Sequence, residues 1–268
     1  IDRQKINNKQ ESEDIPESID VTIDKDNKSF AVKCIVFNDK SFEIMITDIS
    51  KLEKRKRIKQ EMTNNIAHEL KTPVSSIMGY LETLLNSKIE PAKKDYFIER
   101  AHQQAGRLSN LINDISLLTK IEEAGNLYNI ELLKIREIVE NVIDDVQLNL
   151  DEKKIKIHLT IDKKTIIRGN QILIYSIFRN LVDNTIYYAG TNLVVHIDTF
   201  FEDEDYYYFL YSDNGMGIPE EYLPRIFERF YRIDKGRSRK QGGTGLGLSI
   251  VKNAVLFHRG EISAKSKP

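Results

Sequence analysis

The sequence predicts an α+β protein, an antiparallel hairpin of two long helices followed by an α/β sandwich. Three observations carry that expectation. From about Ser50 to Leu118 apolar residues recur by threes and fours, the period of an amphipathic helix. The segment 86–91 (NSKIEP) interrupts that run once, as a short helix–helix connection does. Beyond Gly125-Asn126, short alternating stretches interleave with helical ones, the pattern of a sheet with helices packed on it.

Residues 1–18 are polar and read as a linker. Residues 19–24, 30–37 and 42–49 have strand character and are separated by Asp26-Asn27 and Asn38-Asp39, which predicts a small antiparallel meander. The first helix carries Ile58, Met62, Ile66, Leu70, Ile77, Leu81 and Leu84 on one stripe, with Ser50 as its N-cap. The second carries Phe97, Ala101, Ala105, Leu108, Ile112, Ile115 and Leu118. A two-helix hairpin buries its stripe poorly, so pairing of two chains into a four-helix bundle is expected. Further on, residues 127–132 read as a strand, 135–150 as a helix, 156–161 as a strand and 171–188 as a helix. Residues 193–201 and 206–211 read as a strand hairpin, 246–257 as a helix and 261–264 as the start of a last strand. One sheet with helices on one face is the expected result. The domain boundaries follow as 1–49, 50–124 and 125–268.

Lysine and arginine total 40 against 41 aspartates and glutamates, so no global field favours a nucleic-acid partner. The basic run at 51–59 (KLEKRKRIK) reads as a solvated helix face. Cys34 is the single cysteine. It excludes an intrachain disulfide and a cysteine-based zinc site. No apolar run approaches the ~20 residues that cross a bilayer. The chain begins at Ile1 and stops at Pro268. It is expected to be the cytoplasmic part of a longer protein, with a membrane anchor upstream.

The segment 64–78 reads NNIAHELKTPVSSIM. His68 lies two residues from Ile66 and from Leu70, about 200° around the helix from each, so it is expected to face away from the core. A lone surface histidine usually has no role. Here Glu69 follows directly and can orient the ring or accept its proton. Thr72 lies one turn on. Pro73 stands inside the helix, where it removes a backbone donor and normally costs about 3 kcal/mol.

Later, Asn180 and Asn184 are four apart on a helix, so both amides share a face. An amide oxygen can serve Mg²⁺. Residues 213–219 (DNGMGIP) follow a strand. Asp213 there could accept a hydrogen bond from an exocyclic amine, although such a turn by itself is more often structural. Residues 226–232 (IFERFYR) carry Phe227 and Phe230, and a Lys- and Arg-rich stretch follows. Then 242–248 (GGTGLGL) opens the last helix, where backbone N–H groups can meet phosphate oxygens. The long stretch 215–244 is the length of a lid.

HELKTP resembles the phosphoacceptor box of sensor histidine kinases with a HisKA-type dimerisation domain. The later segments, in this order, resemble the ATP-binding domain shared by histidine kinases and gyrase-type ATPases. The resemblance covers about residues 50–268. It implies ATP and Mg²⁺ as cofactors, a homodimer, and a response-regulator receiver domain as partner. It implies that His68 takes the phosphoryl group, that Glu69 assists as acid or base, and that Thr72 positions water in a regulator-phosphatase reaction. It implies further that Asn184 binds Mg²⁺ and that Asp213 reads adenine. The remaining nucleotide contacts implied are Asn180, Tyr188, Gly215, Gly217, Ile218, Phe230, Arg232, Gly243, Thr244, Gly245, Leu246 and Gly247. Two departures stand out. Tyr187 replaces a lysine that approaches the phosphates in many members, which shifts charge compensation to Arg232, Lys235, Arg237 or Arg239. The family's last hairpin is cut short at Pro268.

Overall fold

Alternation builds the first sheet. In β1 (Glu17–Lys25), β2 (Lys28–Val36) and β3 (Phe42–Asp48), antiparallel pairing sets Val21 opposite Val32 and Val32 opposite Ile46. One face is therefore apolar across all three strands, because side chains alternate with period two. The computed structural model describes residues 17–37, 39, 41–86, 89–123, 128–203, 206–233 and 243–267. These belong to two compact units, Ile1–Ile66 and Ala67–Pro268. The expected linker lies mostly outside the described residues.

Helix α1 (Ser50–Asn86) starts one residue earlier than a Ser50 cap would allow. Asp48 is the capping group instead: its carboxylate accepts the Ser50 N–H at 2.9 Å. The basic run at 51–59 is almost wholly exposed, as a solvated face is. The helix continues through Pro73, which is buried. Helix α2 (Pro91–Glu123) returns, and Tyr80 meets Phe97 at 6.0 Å between ring centroids.

On α2 the buried face differs from the predicted stripe. Ile112 is 52% exposed whereas Leu111 is 3% exposed. The lower half of α2 buries Leu111, Leu118 and Ile121, together with the half-buried Arg107 and Asp114. That face is rotated from the one holding Phe97 and Ala101, because α2 has two successive partners: α1 near its start, and the C-terminal helix further on.

Strands β4 (Glu131–Lys134), β5 (Lys156–Leu159), β6 (Ile166–Gly169), β7 (Val194–Glu202) and β8 (Tyr207–Asp213) do not form the single sheet expected. They divide into β4–β6 and β5–β7–β8, the β5–β7 pair being parallel. Strand β6 was not anticipated. Its register, Glu131 opposite Gly169, explains why β4 begins at Glu131 and not at 128: pairing starts only there. The helix expected over 135–150 is two, α3 (Ile135–Asp145) and α4 (Gln147–Lys153). The bend at Val146 (φ −117°, ψ 8°) keeps Val142, Val146 and Leu150 all buried.

Helix α5 (Gln171–Asn184) is capped by Asn170, whose side chain accepts the Leu173 N–H, and runs into a π-helical turn, Thr185–Ala189. Helix α6 (Gly247–Phe257) packs against α5 and α2. His258, just beyond it, accepts the Asn170 N–H at Nε2, while Nδ1 lies 2.7 Å from the Ala254 carbonyl. Burial pushes its pKa down, as suits a neutral ring with one accepting nitrogen. Residues 261–264 form no strand. A strand needs a neighbouring ladder, and this tail instead presents Ser266, whose Oγ accepts the Ile218 N–H at 2.8 Å.

The main core joins α3 and α5 to β7 through Ile135, Val139, Phe178, Val182, Val195 and Ile197. Ile197 is fully buried on the central strand. Ile197→Ala should therefore lower unfolding stability by about 2–4 kcal/mol. A shift of the urea midpoint with an unchanged slope would report it.

Candidate active site

His68 is exposed on α1, as its helix phase requires. The Thr72 hydroxyl donates to the His68 carbonyl at 3.3 Å, and the Ser76 hydroxyl to the Thr72 carbonyl at 3.0 Å. These bonds brace the turn in which Pro73 leaves the Glu69 carbonyl without its helical donor. Glu69 turns away from solvent. Its Oε2 lies 3.6 Å from Arg107 and 3.2 Å from Arg232.

The turn after His68 is anchored by packing. Leu70 joins Leu111, Ile115 and Leu118 of α2 against Leu246, Ile250 and Phe230. Phe230 thus spends its ring on this seam. At φ 60° it also bends the chain, and its N–H donates to the Gly245 carbonyl at 2.8 Å. Polar links rim the seam. Thr244 donates its hydroxyl to Asp114 at 2.9 Å, and Arg229 pairs with Glu122.

Asn180 and the glycine turn meet directly. Asn180 donates to the Ser176 carbonyl at 2.8 Å, and its oxygen faces Gly247, where an added Cβ would lie 2.7 Å from it. Only glycine permits that approach. The amide nitrogen of Asn184 is buried with no partner among the described residues. Asp213 is fixed at both oxygens: Oδ1 accepts the Gly215 N–H at 2.9 Å and Oδ2 the Thr185 hydroxyl at 3.2 Å. Gly215 packs on the π-helical turn, where an added Cβ would meet Ala189 at 2.6 Å. The Met216 N–H donates to the Ala189 carbonyl, and Gly217 takes φ 71°. Strain-tolerant turns of this kind cluster at functional sites. Tyr188 is half-buried, and burial pushes its hydroxyl pKa up against the opposing pull of Arg232 and Arg107. Tyr187 is 42% exposed.

The structure therefore gathers Asn180, Gly247, Gly245, Gly243, Leu246, Thr244 and Arg232 with the Glu69 turn, and sets Asp213, Gly215 and Gly217 at the end of α5. Ile218 is held to the tail through Ser266. Lys235, Arg237 and Arg239 lie outside the described residues. Sequence reasoning missed Arg107 and Asp114. The available signal was their place in a second period on α2, Arg107, Leu111, Asp114, Leu118, in which two ionisable groups interrupt an apolar face.

A family model of the His Kinase A (phospho-acceptor) domain matches residues 58–124. A second, for histidine kinase-, DNA gyrase B- and HSP90-like ATPases, matches residues 169–268. The chain belongs to the sensor histidine kinases. The phosphate regulon sensor protein PhoR of Pseudomonas aeruginosa is 30% identical over 87% of this chain and 53% of its own length. The sensor histidine kinase WalK of Bacillus subtilis is 32% identical over 83% of this chain and 37% of its own. This kinase chain thus spans about half the length of PhoR and less of WalK.

Two solved structures share the fold. The Acinetobacter baumannii histidine kinase AdeS aligns with a TM-score of 0.58 at 24% identity, over 71% of this chain and 86% of that one. Histidine kinase ThkA, in complex with response regulator protein TrrA, aligns with a TM-score of 0.54 at 19% identity, over 81% of this chain and 68% of that one.

Burial, with Asp183 nearby, pushes the Asp114 pKa up to about 6, against the opposing Thr244 hydrogen bond. A raised carboxyl pKa means that ionisation opposes this packing above about pH 6, and the penalty fades as pH falls toward the ordinary value of 3.8. Asp114→Asn keeps an acceptor for Thr244 and removes the charge. It should raise stability by on the order of 1 kcal/mol at pH 7.5, with the gain vanishing near pH 4. Thermal melts across that range would measure it.

Proposed function

We propose that this histidine kinase transfers the γ-phosphoryl group of ATP to His68 and passes it to an aspartate of a response regulator. The observation that carries the proposal is the seam that joins the turn bearing exposed His68 to the glycine turn at the start of α6. A nucleophile and a phosphate cradle in one packed unit suit phosphoryl transfer, in which positioning and charge stabilisation do most of the catalysis.

In this reading a neutral imidazole nitrogen of His68 attacks the γ-phosphorus. An N–P bond forms, the bond to the β-phosphate oxygen breaks, and ADP departs with the electron pair. The proton on the other ring nitrogen passes to Glu69 or to water. Asp213, fixed at both oxygens, accepts from the adenine amine. The backbone at Gly243, Thr244, Gly245, Leu246 and Gly247 meets the phosphates, with Arg232 beside it. Tyr188 and Ile218 line the base, and Phe230 shapes the site through its backbone bond to Gly245.

The buried amide end of Asn184, without a partner among the described residues, fits a hydrated Mg²⁺, since turning the amide by 180° offers its oxygen there. The ion would neutralise phosphate charge when bound. Asn180, committed to Ser176 and packed on Gly247, supports that face.

Several further features belong to the same proposal. Val74, Met78, Leu81 and Leu85 form an exposed apolar stripe on α1, which suits a second copy completing a four-helix bundle. A receiver domain is the fitting partner, consistent with the ThkA complex with TrrA. Dephosphorylation of the regulator through Thr72 is included. Among the described residues no helix is long and apolar enough to cross a membrane. In this proposal the chain acts in the cytoplasm and a membrane anchor lies elsewhere in a longer protein. The functional segments proposed are 1–49, a linker and β meander, 50–124, the phosphoacceptor hairpin, and 125–268, the ATP-binding domain.

Incubation with γ-labelled ATP and Mg²⁺ should yield label that is lost in acid and stable in base. His68→Gln should reduce it to background. Label persisting in that variant would sink the assignment.

A further inference from the structure

Arg232 stands between one anion that is present and another that the proposed function supplies. Its side chain is 7% exposed. Through one terminal nitrogen it donates to Glu69 at 3.2 Å and to the Gly243 carbonyl. Its Nε–H is buried and has no acceptor among the described residues. That unfilled donor lies against the glycine turn, since a Cβ added to Gly245 would come within 3.2 Å of it.

A buried N–H without an acceptor costs the desolvation of the group. A guanidinium accepts carboxylate and phosphate with the same fork of donors. In this state, then, Arg232 spends its terminal donor on the residue next to the phosphoacceptor, and its free donor faces the phosphate side.

We propose that Glu69 and the phosphates of the bound nucleotide compete for Arg232, so that the Glu69–Arg232 ion pair is an autoinhibitory contact released by nucleotide. The inference rests on the nucleotide reading given above. Arg107 makes the exchange feasible. It sits 3.6 Å from the same Glu69 oxygen with a side chain only 10% exposed, and it is carried by α2 rather than by the segment that leads into the lid. When Arg232 departs, Glu69 keeps a cation and is not stranded as a lone charge in a poorly hydrated place. The carboxylate is then free of the lid-side arginine and able to serve His68 beside it. The contact thus links two events: Arg232 reaches the phosphates, and Glu69 is released toward the imidazole. Arg107 is in this scheme a positioning residue, acting on His68 through Glu69.

The test reads affinity rather than turnover. The chain is titrated calorimetrically with a non-hydrolysable ATP analogue and Mg²⁺, as wild type, Glu69→Gln, Arg232→Gln and the double variant. Competition predicts that Glu69→Gln binds the analogue about fivefold or more tightly than wild type, the lower range of coupling between linked sites. Arg232→Gln should bind more weakly, and adding Glu69→Gln to it should change affinity less than about twofold.

Unchanged or weaker binding by Glu69→Gln overturns the proposal, as does a gain that persists without Arg232. If Glu69→Gln does not fold, Glu69→Asp takes its place. It keeps the charge but draws it back by one methylene, and it should tighten binding in the same direction by a smaller factor. No gain in that folded variant overturns the proposal equally. Absence of analogue binding by folded wild type would instead overturn the nucleotide reading itself.

Discussion

The seam of Leu70, Leu111 and Leu118 against Leu246, Ile250 and Phe230 is the contact on which the rest of the site depends. Leu118, Leu246 and Ile250 are fully buried there. Burying side chains of this size contributes about 1.5–3 kcal/mol each, so a few of them outweigh the cost of bringing the charged groups at the rim together. Without this apolar contact, Glu69 and Arg232 would be solvated partners on separate surfaces, and exposed ion pairs are worth little. With it, they face each other in a place largely closed to water.

The rim is consequently electrostatic and adjustable, while the centre is not. Asp114 is disturbed by the packing, and its raised pKa reflects a charge held where water is scarce. Arg229 shows the corresponding effect for a cation, its pKa lowered by burial. Holding such groups where water is scarce offsets part of what the apolar centre contributes. Two stretches, 229–232 and 243–246, touch the helical hairpin in this way.

Close backbone approaches do the remaining positioning. Gly215 against Ala189 and Gly247 against Asn180 leave no room for a Cβ. They tie the turn after β8 to the end of α5, and the start of α6 to Asn180. The π-helical turn at Thr185–Ala189 supplies the surface on which the first of these rests.

Much of this was legible in the chain. Periodicity located α1, α2, α5 and α6, and the phase of one stripe set His68 outward, because a 3.6-residue repeat fixes which face a residue occupies before any partner is known. Motif chemistry pointed to Asn180, Asn184, Asp213 and the glycines. Strand β6 was hidden because four residues carry too weak an alternation to stand out, and it becomes a strand only through β4. The bend at Val146 was hidden because α3 and α4 share one continuous apolar pattern. Arg107 and Asp114 looked like surface charges, since burial of an ionisable group is decided by the element that comes to cover it. By itself the sequence determined the helices, the outward histidine and the residue types able to handle a nucleotide, all consequences of local geometry and side-chain chemistry. Only the tertiary structure decided that Glu69 turns from the imidazole to two arginines, because that choice depends on which charges the packed seam brings within reach.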